Sequence, residues 1–162
     1  MKKISLILVL LILFTSNISF ANTYSSDPQN FVKELVTDVT NKLSDKNISK
    51  EEKAKFIEKI AIENVDINAL GLYTLGELRK SADKSSLIKF QKAFKKYFLK
   101  SLTSRLTDYS SNKFEIINAE KKSSNYTIVS SKIVKSENQP EIKIDWRVYT
   151  KNPDKPLIRD LI

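Results

Sequence analysis

At Ser110 the spacing of apolar residues changes, and that switch constrains the fold more than any motif does. Before it, apolar side chains recur at steps of three and four, which is one face of an α-helix. After it they alternate, as in half-buried strands. Helices first and strands afterwards define an α+β domain: N-terminal helices packed on one face of a C-terminal, mostly antiparallel four-stranded sheet.

The punctuation supports that reading. Residues 22–26 are expected as a disordered leader. The first helix opens at Asp27, an N-cap residue, with Pro28 at the first helical position, and carries Phe31, Leu35, Val36, Val39 and Leu43 as one stripe. The second begins with a capping box, Ser49 with Glu52, and presents Phe56, Ile57, Ile60 and Ala61. A short third helix in DINALGLYTLG ends at Gly76, placed for a left-handed C-cap. The longest is expected from about Asp83 to Tyr109, roughly 40 Å, with Leu87, Phe90, Phe94, Tyr97, Phe98, Leu102, Leu106 and Tyr109 on its apolar face. Its lysines and Arg105 form the wet side.

Strands are expected in KFEIINAEKK, NYTIVSSKIVK, EIKIDWRVYT and KPLIRDLI, with Asn152, Pro153 and Asp154 as the last turn. On the third strand Ile142, Ile144, Trp146 and Val148 share one face, and Lys143, Asp145 and Arg147 the other. The sheet face opposite the long helix is expected to carry Tyr126, Ile128, Ile144 and Trp146.

The first 21 residues read as a secretory signal peptide: Lys2 and Lys3, an apolar run from Ile4 to Phe14, then Ser19 and Ala21 at the −3 and −1 positions of a cleavage site. The run is short of the ~20 residues that span a bilayer. Removing residues 1–21 takes two lysines and no acid, lowering the formal charge from +9 to +7 over the remaining 141 residues, one domain's worth. Without cysteine there is neither a lipid-modified N-terminal thiol nor a disulfide. The lysines Lys84, Lys89, Lys92, Lys95, Lys96 and Lys100 are spread along a helix, the pattern of a solvated face.

Chemistry is sparse. Histidine and cysteine are absent, removing the usual general base, the commonest metal ligand and the thiol nucleophile together. Gly71 and Gly76, the two glycines, cannot build a phosphate-cradling loop, and no G-x-S-x-G elbow occurs. The aromatics of KFQKAFKKYF sit at helical spacing that buries rings and exposes lysines, the reverse of a nucleic-acid stacking platform. No enzyme, cofactor, metal or nucleic-acid partner is expected. Residue by residue, the chain reads as an exported basic binding module whose apolar interior is either a packed core or a ligand cavity.

The stretch LGELRKSADKSSLIKFQKAFKKYFLKSLTSRLTDY resembles the periplasmic component of the Mla phospholipid-transport system, the toluene-tolerance auxiliary family. Leu75, Gly76, Ala82, Asp83, Phe90, Phe94, Tyr97 and Tyr109 occupy the family's pattern positions, Phe31 to Leu43 resembles its first helix, and Asp145, Trp146, Arg147 and Asp160 match its penultimate strands. The resemblance covers nearly all of residues 27–162. It departs at Leu78 and Arg79, where many members have an aromatic pair. The family also continues past Asp160 into a Glu-Gly turn and a helix, so the chain is expected to be a member lacking its last segment.

The resemblance implies a monomeric periplasmic carrier of phospholipid, working between an outer-membrane lipoprotein complex and an inner-membrane ABC transporter complex. Exposing one acyl chain of about sixteen carbons costs roughly 12 kcal/mol at ~0.8 kcal/mol per CH₂, so a carrier must enclose the tails. A cleft between long helix and sheet is implied, with Leu43, Leu70, Tyr73, Phe94, Phe98, Leu102, Ile128, Ile144, Trp146 and Val148 as lipid-binding residues. Two other readings stay open: a secreted protein-interaction module with a filled core, and a truncated, inactive carrier.

Overall fold

A computed structural model describes residues 24–107, 113–134 and 140–162. The expected signal peptide, residues 1–21, and Tyr109 lie outside the described residues. Helices α1 (Pro28–Ser44), α2 (Lys50–Asn64), α3 (Ile67–Thr74), α4 (Leu78–Ser81) and α5 (Lys84–Leu106) precede strands β1 (Phe114–Ser123), β2 (Tyr126–Ile133), β3 (Ile142–Tyr149) and β4 (Leu157–Leu161).

The helix ends follow from their side chains. Asp27 accepts the Asn30 N–H at 2.9 Å, and Asp83 accepts that of Ser86 at 2.9 Å. Ser49 and Glu52 form the reciprocal capping box, satisfying amides that the first turn leaves without carbonyl partners. The Lys53 ammonium donates to the Leu43 carbonyl at 2.6 Å, which ties the end of α1 to α2. Gly76, just past α3, has φ +53°, the left-handed conformation that glycine adopts without a Cβ clash.

The sheet is an antiparallel meander in the order β1-β2-β3-β4. The β3–β4 connection turns on Asn152, whose carbonyl accepts the Lys155 N–H at 3.2 Å. Edge strand β4 is tied to the α2–α3 junction, where the Asp66 N–H donates to the Ile158 carbonyl at 2.9 Å. A bulge in β4 leaves Arg159 without an opposite residue on β3. Its guanidinium instead reaches Asp66 at 2.8 Å and the Tyr126 hydroxyl at 3.1 Å, and lies 3.4 Å from the Tyr149 ring centre.

Cross-strand pairing fixes which face meets the helices. Thr127, Val129 and Ser131 oppose Val148, Trp146 and Ile144, so these six share the inner face. Tyr126 and Ile128 oppose Tyr149 and Arg147 on the outer face, which corrects their expected inward placement. The inner positions of β2 include two hydroxyl residues, and a hydrophobicity pattern alone assigns Thr127 and Ser131 to solvent.

Two further expectations are corrected. Tyr24 to Ser26 are ordered: the Tyr24 hydroxyl donates to Asp38 at 3.0 Å, its ring meets Phe31 edge-on, and the Ser25 N–H donates to Glu34 at 2.7 Å. On α5 the stripe runs Phe90, Phe94, Phe98, Leu102. Steps of four advance about 40° round the helix each time, so the stripe slides away from Tyr97 and toward Leu99. Tyr97 is 72% exposed, while Leu99 is buried.

The core is in two parts. Phe31, Val32, Leu35 and Ile60 close on Val129, Val148 and Ile158 of the sheet, joining α1 and α2 to the inner face. Ala61, Ile67 and Leu99 form a second cluster with Phe94, Phe98 and Leu102, joining α2 and α3 to α5. Gly71 makes that second contact close, because a Cβ there would stand 2.8 Å from the Phe94 ring.

Candidate functional site

Between the two clusters the interior is not filled. A cavity of ≈ 430 Å³ separates the helices from the inner sheet face. Its helical walls are Leu35, Val36, Val39 and Leu43 of α1, Ile57, Ile60 and Ala61 of α2, Leu70 of α3, and Phe98, Leu102 and Leu106 of α5. Its floor is Phe114, Ile133, Ile144, Trp146 and Ile158. An apolar cavity of about 150 Å³ stays dry and takes benzene, so this one has room on the order of one long acyl chain.

The polar groups at the wall are satisfied. Thr40 donates to the Val36 carbonyl at 2.8 Å, which leaves its methyl for the cavity. The Trp146 indole N–H donates to Ser131 Oγ at 2.7 Å, and that hydroxyl donates to the Ile144 carbonyl at 3.1 Å. Ser131, fully buried, thereby fixes the indole plane, and Phe114 meets the ring edge-on at 6.4 Å. The cavity reaches the surface at Leu161, which lines it and is 56% exposed. The next residue back, Asp160, faces the other way and pairs with Arg147 at 3.4 Å on the outer side of the sheet.

Of the ten residues named from sequence, Leu43, Leu70, Phe98, Leu102, Ile144 and Trp146 line this cavity. The other four lie elsewhere. Val148 is fully buried in the cluster beneath α1. Phe94 stacks between Phe90 and Phe98 and packs over Gly71. Ile128 is on the outer sheet face. Tyr73 is also outside, half exposed, with Arg79 and Arg147 5.5 and 5.8 Å from its ring centre and its hydroxyl accepting from Arg147 at 3.3 Å.

Beyond Leu43, sequence reasoning missed the contribution of α1 to the walls, although the stripe Leu35, Val36, Val39 was visible, and it missed that of α2 entirely. It also missed Ser131, for which a hydroxyl directly across from an apolar strand face is the available signal. A second depression, ≈ 590 Å³, lies between α1 and β1 and is rimmed by Lys33, Thr37, Asn41, Ser44 and Lys113. Its polar lining suits water rather than an apolar ligand.

Helices arched over one face of an antiparallel meander, enclosing an apolar chamber with a mouth at one edge, define a small-molecule-enclosing α+β domain. The MlaC protein family model matches residues 29–162, and the chain belongs to that family. Among solved structures, it resembles the phospholipid-binding protein from Ralstonia solanacearum, determined in complex with a phospholipid. The TM-score is 0.64 at 16% identity, covering 82% of this chain and 75% of that one. At that identity the likeness is one of fold. No curated protein matches the sequence.

Proposed function

We propose that this protein is a periplasmic phospholipid carrier, exported by the signal peptide read in residues 1–21. It shuttles lipid between the outer-membrane lipoprotein complex and the inner-membrane ABC transporter complex of an Mla-type system. The observation that carries this reading is the apolar chamber between the helices and the sheet. A packed interaction module would fill that space, because each void large enough for a methyl group costs about 1 kcal/mol. Family membership supports the reading, as does a structural neighbour crystallised with a phospholipid.

The mechanism is passive partition. Burying a chain of about sixteen carbons is worth roughly 12 kcal/mol, which no water-exposed intermediate recovers. Release therefore needs a receiving protein that opens the mouth at Leu161. The chamber as it stands takes one tail, and the second enters as the α5 wall and the sheet move apart. The head group stays outside, at the mouth beside Leu161. No bond is made or broken.

Organic extraction and mass spectrometry of the purified protein test this. Stoichiometric phospholipid is expected in the parent and its loss in Phe98→Asp, which places a carboxylate in the chamber wall. Tyr73→Phe, outside the chamber, should retain it. A stable parent protein without lipid would overturn the carrier reading, and retention by a folded Phe98→Asp would displace the site.

A further inference from the structure

The outer face of α5 has no role in enclosing cargo, yet its charge is all of one sign. Between Lys84 and Leu106 there are six lysines and one arginine and no acidic residue. Lys89, Lys92, Lys96 and Lys100, at steps of three, four and four, stand in one exposed row about 16 Å long. Among the described residues, no acidic side chain pairs with any of the four.

Lys92 with Lys96 and Lys96 with Lys100 are like-charge i,i+4 pairs, each disfavoured on an isolated helix. An ordinary solvated helix mixes the signs and avoids this repulsion. Beside the row, Tyr97 stands 72% exposed to water. Tyrosine flanked by lysines is the composition of a bilayer interface, where the ring sits at head-group depth and ammonium groups meet phosphates.

Protein–protein interfaces deplete lysine and favour arginine, whose planar fork makes paired hydrogen bonds. Lysines act as mobile point charges suited to a diffuse anionic surface. We propose that α5, through this lysine row and Tyr97, docks the protein on an anionic phospholipid bilayer. The same helix then touches lipid head groups with its outer face while Phe98 and Leu102 on its inner face line the chamber. This goes beyond the carrier reading and does not depend on what fills the chamber.

Co-sedimentation of the purified protein with vesicles tests it, comparing pure phosphatidylcholine with vesicles holding about 30 mol % phosphatidylglycerol. Binding is expected to the anionic vesicles at least about tenfold more strongly, and to be released as salt rises from about 0.1 to 1 M, where the screening length falls from about 10 to 3 Å. At about fivefold per lysine, the combined Lys89→Gln, Lys92→Gln, Lys96→Gln and Lys100→Gln variant should lose several hundredfold. Tyr97→Ser should lose a few-fold with the salt dependence intact.

Equal binding to both vesicle types, or undiminished binding by the folded quadruple variant, would overturn the proposal. So would no binding at all, which would leave the row for an acidic protein. Extraction separates this from the carrier reading: the quadruple variant should carry as much lipid as the parent, and a lipid-free protein that still binds anionic vesicles would sink the carrier alone.

Discussion

The two long helices meet the interior differently. On α1, Phe31, Val32, Leu35 and Leu43 are buried, and the first three lock into Val129, Val148 and Ile158. On α5, which is longer, Leu99 is the one buried residue, and Phe98 and Leu102 look half-covered into the chamber. Along α1 the apolar periodicity builds a sealed contact at Phe31 and Val32 and cavity lining from Leu35 to Leu43, whereas along α5 it builds lining with little burial. What separates them is what lies opposite: α1 rests on the sheet, whereas α5 rests on α2 and α3 and stands off it.

The comparison breaks first at Phe31. Phe31→Ala should destabilise by about 3–5 kcal/mol in chemical denaturation, because a sealed core cannot collapse onto the void. A loss under about 1 kcal/mol would show the α1 side to be as loose as the other. Ser131→Ala comes next, at about 1–3 kcal/mol, since it leaves the indole N–H of Trp146 without its acceptor beside an apolar chamber. Leu102→Ala should fall near or below about 2 kcal/mol, the low end for such truncations, because part of its side chain already faces empty space. A loss matching Phe31→Ala would mean that the chamber is closed in solution.

The smallest effect sharpens the α1 side alone. Burial, and then the hydrogen bond to Asp38, push the Tyr24 phenol well above its ordinary 10.0. The folded state thus holds that proton more tightly than the unfolded state. Its contribution is complete below about pH 10 and is lost as pH rises beyond it. Tyr24→Phe should flatten part of the alkaline fall in stability and, by losing the bond to Asp38, cost about 1 kcal/mol near neutrality.

Most of the architecture was legible because each element is marked locally: Asp27 and Pro28, the Ser49–Glu52 box, Gly76, Asp83, and the shift to alternation after Ser110. All four strands appear where alternation placed them. The chamber was legible only in part. Leu43, Phe98, Leu102, Ile144 and Trp146 announce an apolar interior, but nothing in their spacing says whether that interior is filled. Ile128 and Tyr97 were misplaced for one shared reason. Facing is decided by register and by slow helical drift, which involve partners distant in sequence, and an apolar residue looks the same on either side.

Trp146 has a practical consequence. It is the one tryptophan in the chain, and it forms part of the chamber floor with its N–H held by Ser131. Every photon of indole emission from this protein therefore originates beside the chamber. An empty chamber opening at Leu161 and one filled with hydrocarbon present that ring with different polarity. The molecule carries its own optical gauge of that chamber, and the effect of added phospholipid on it can be read by fluorescence without attaching a probe.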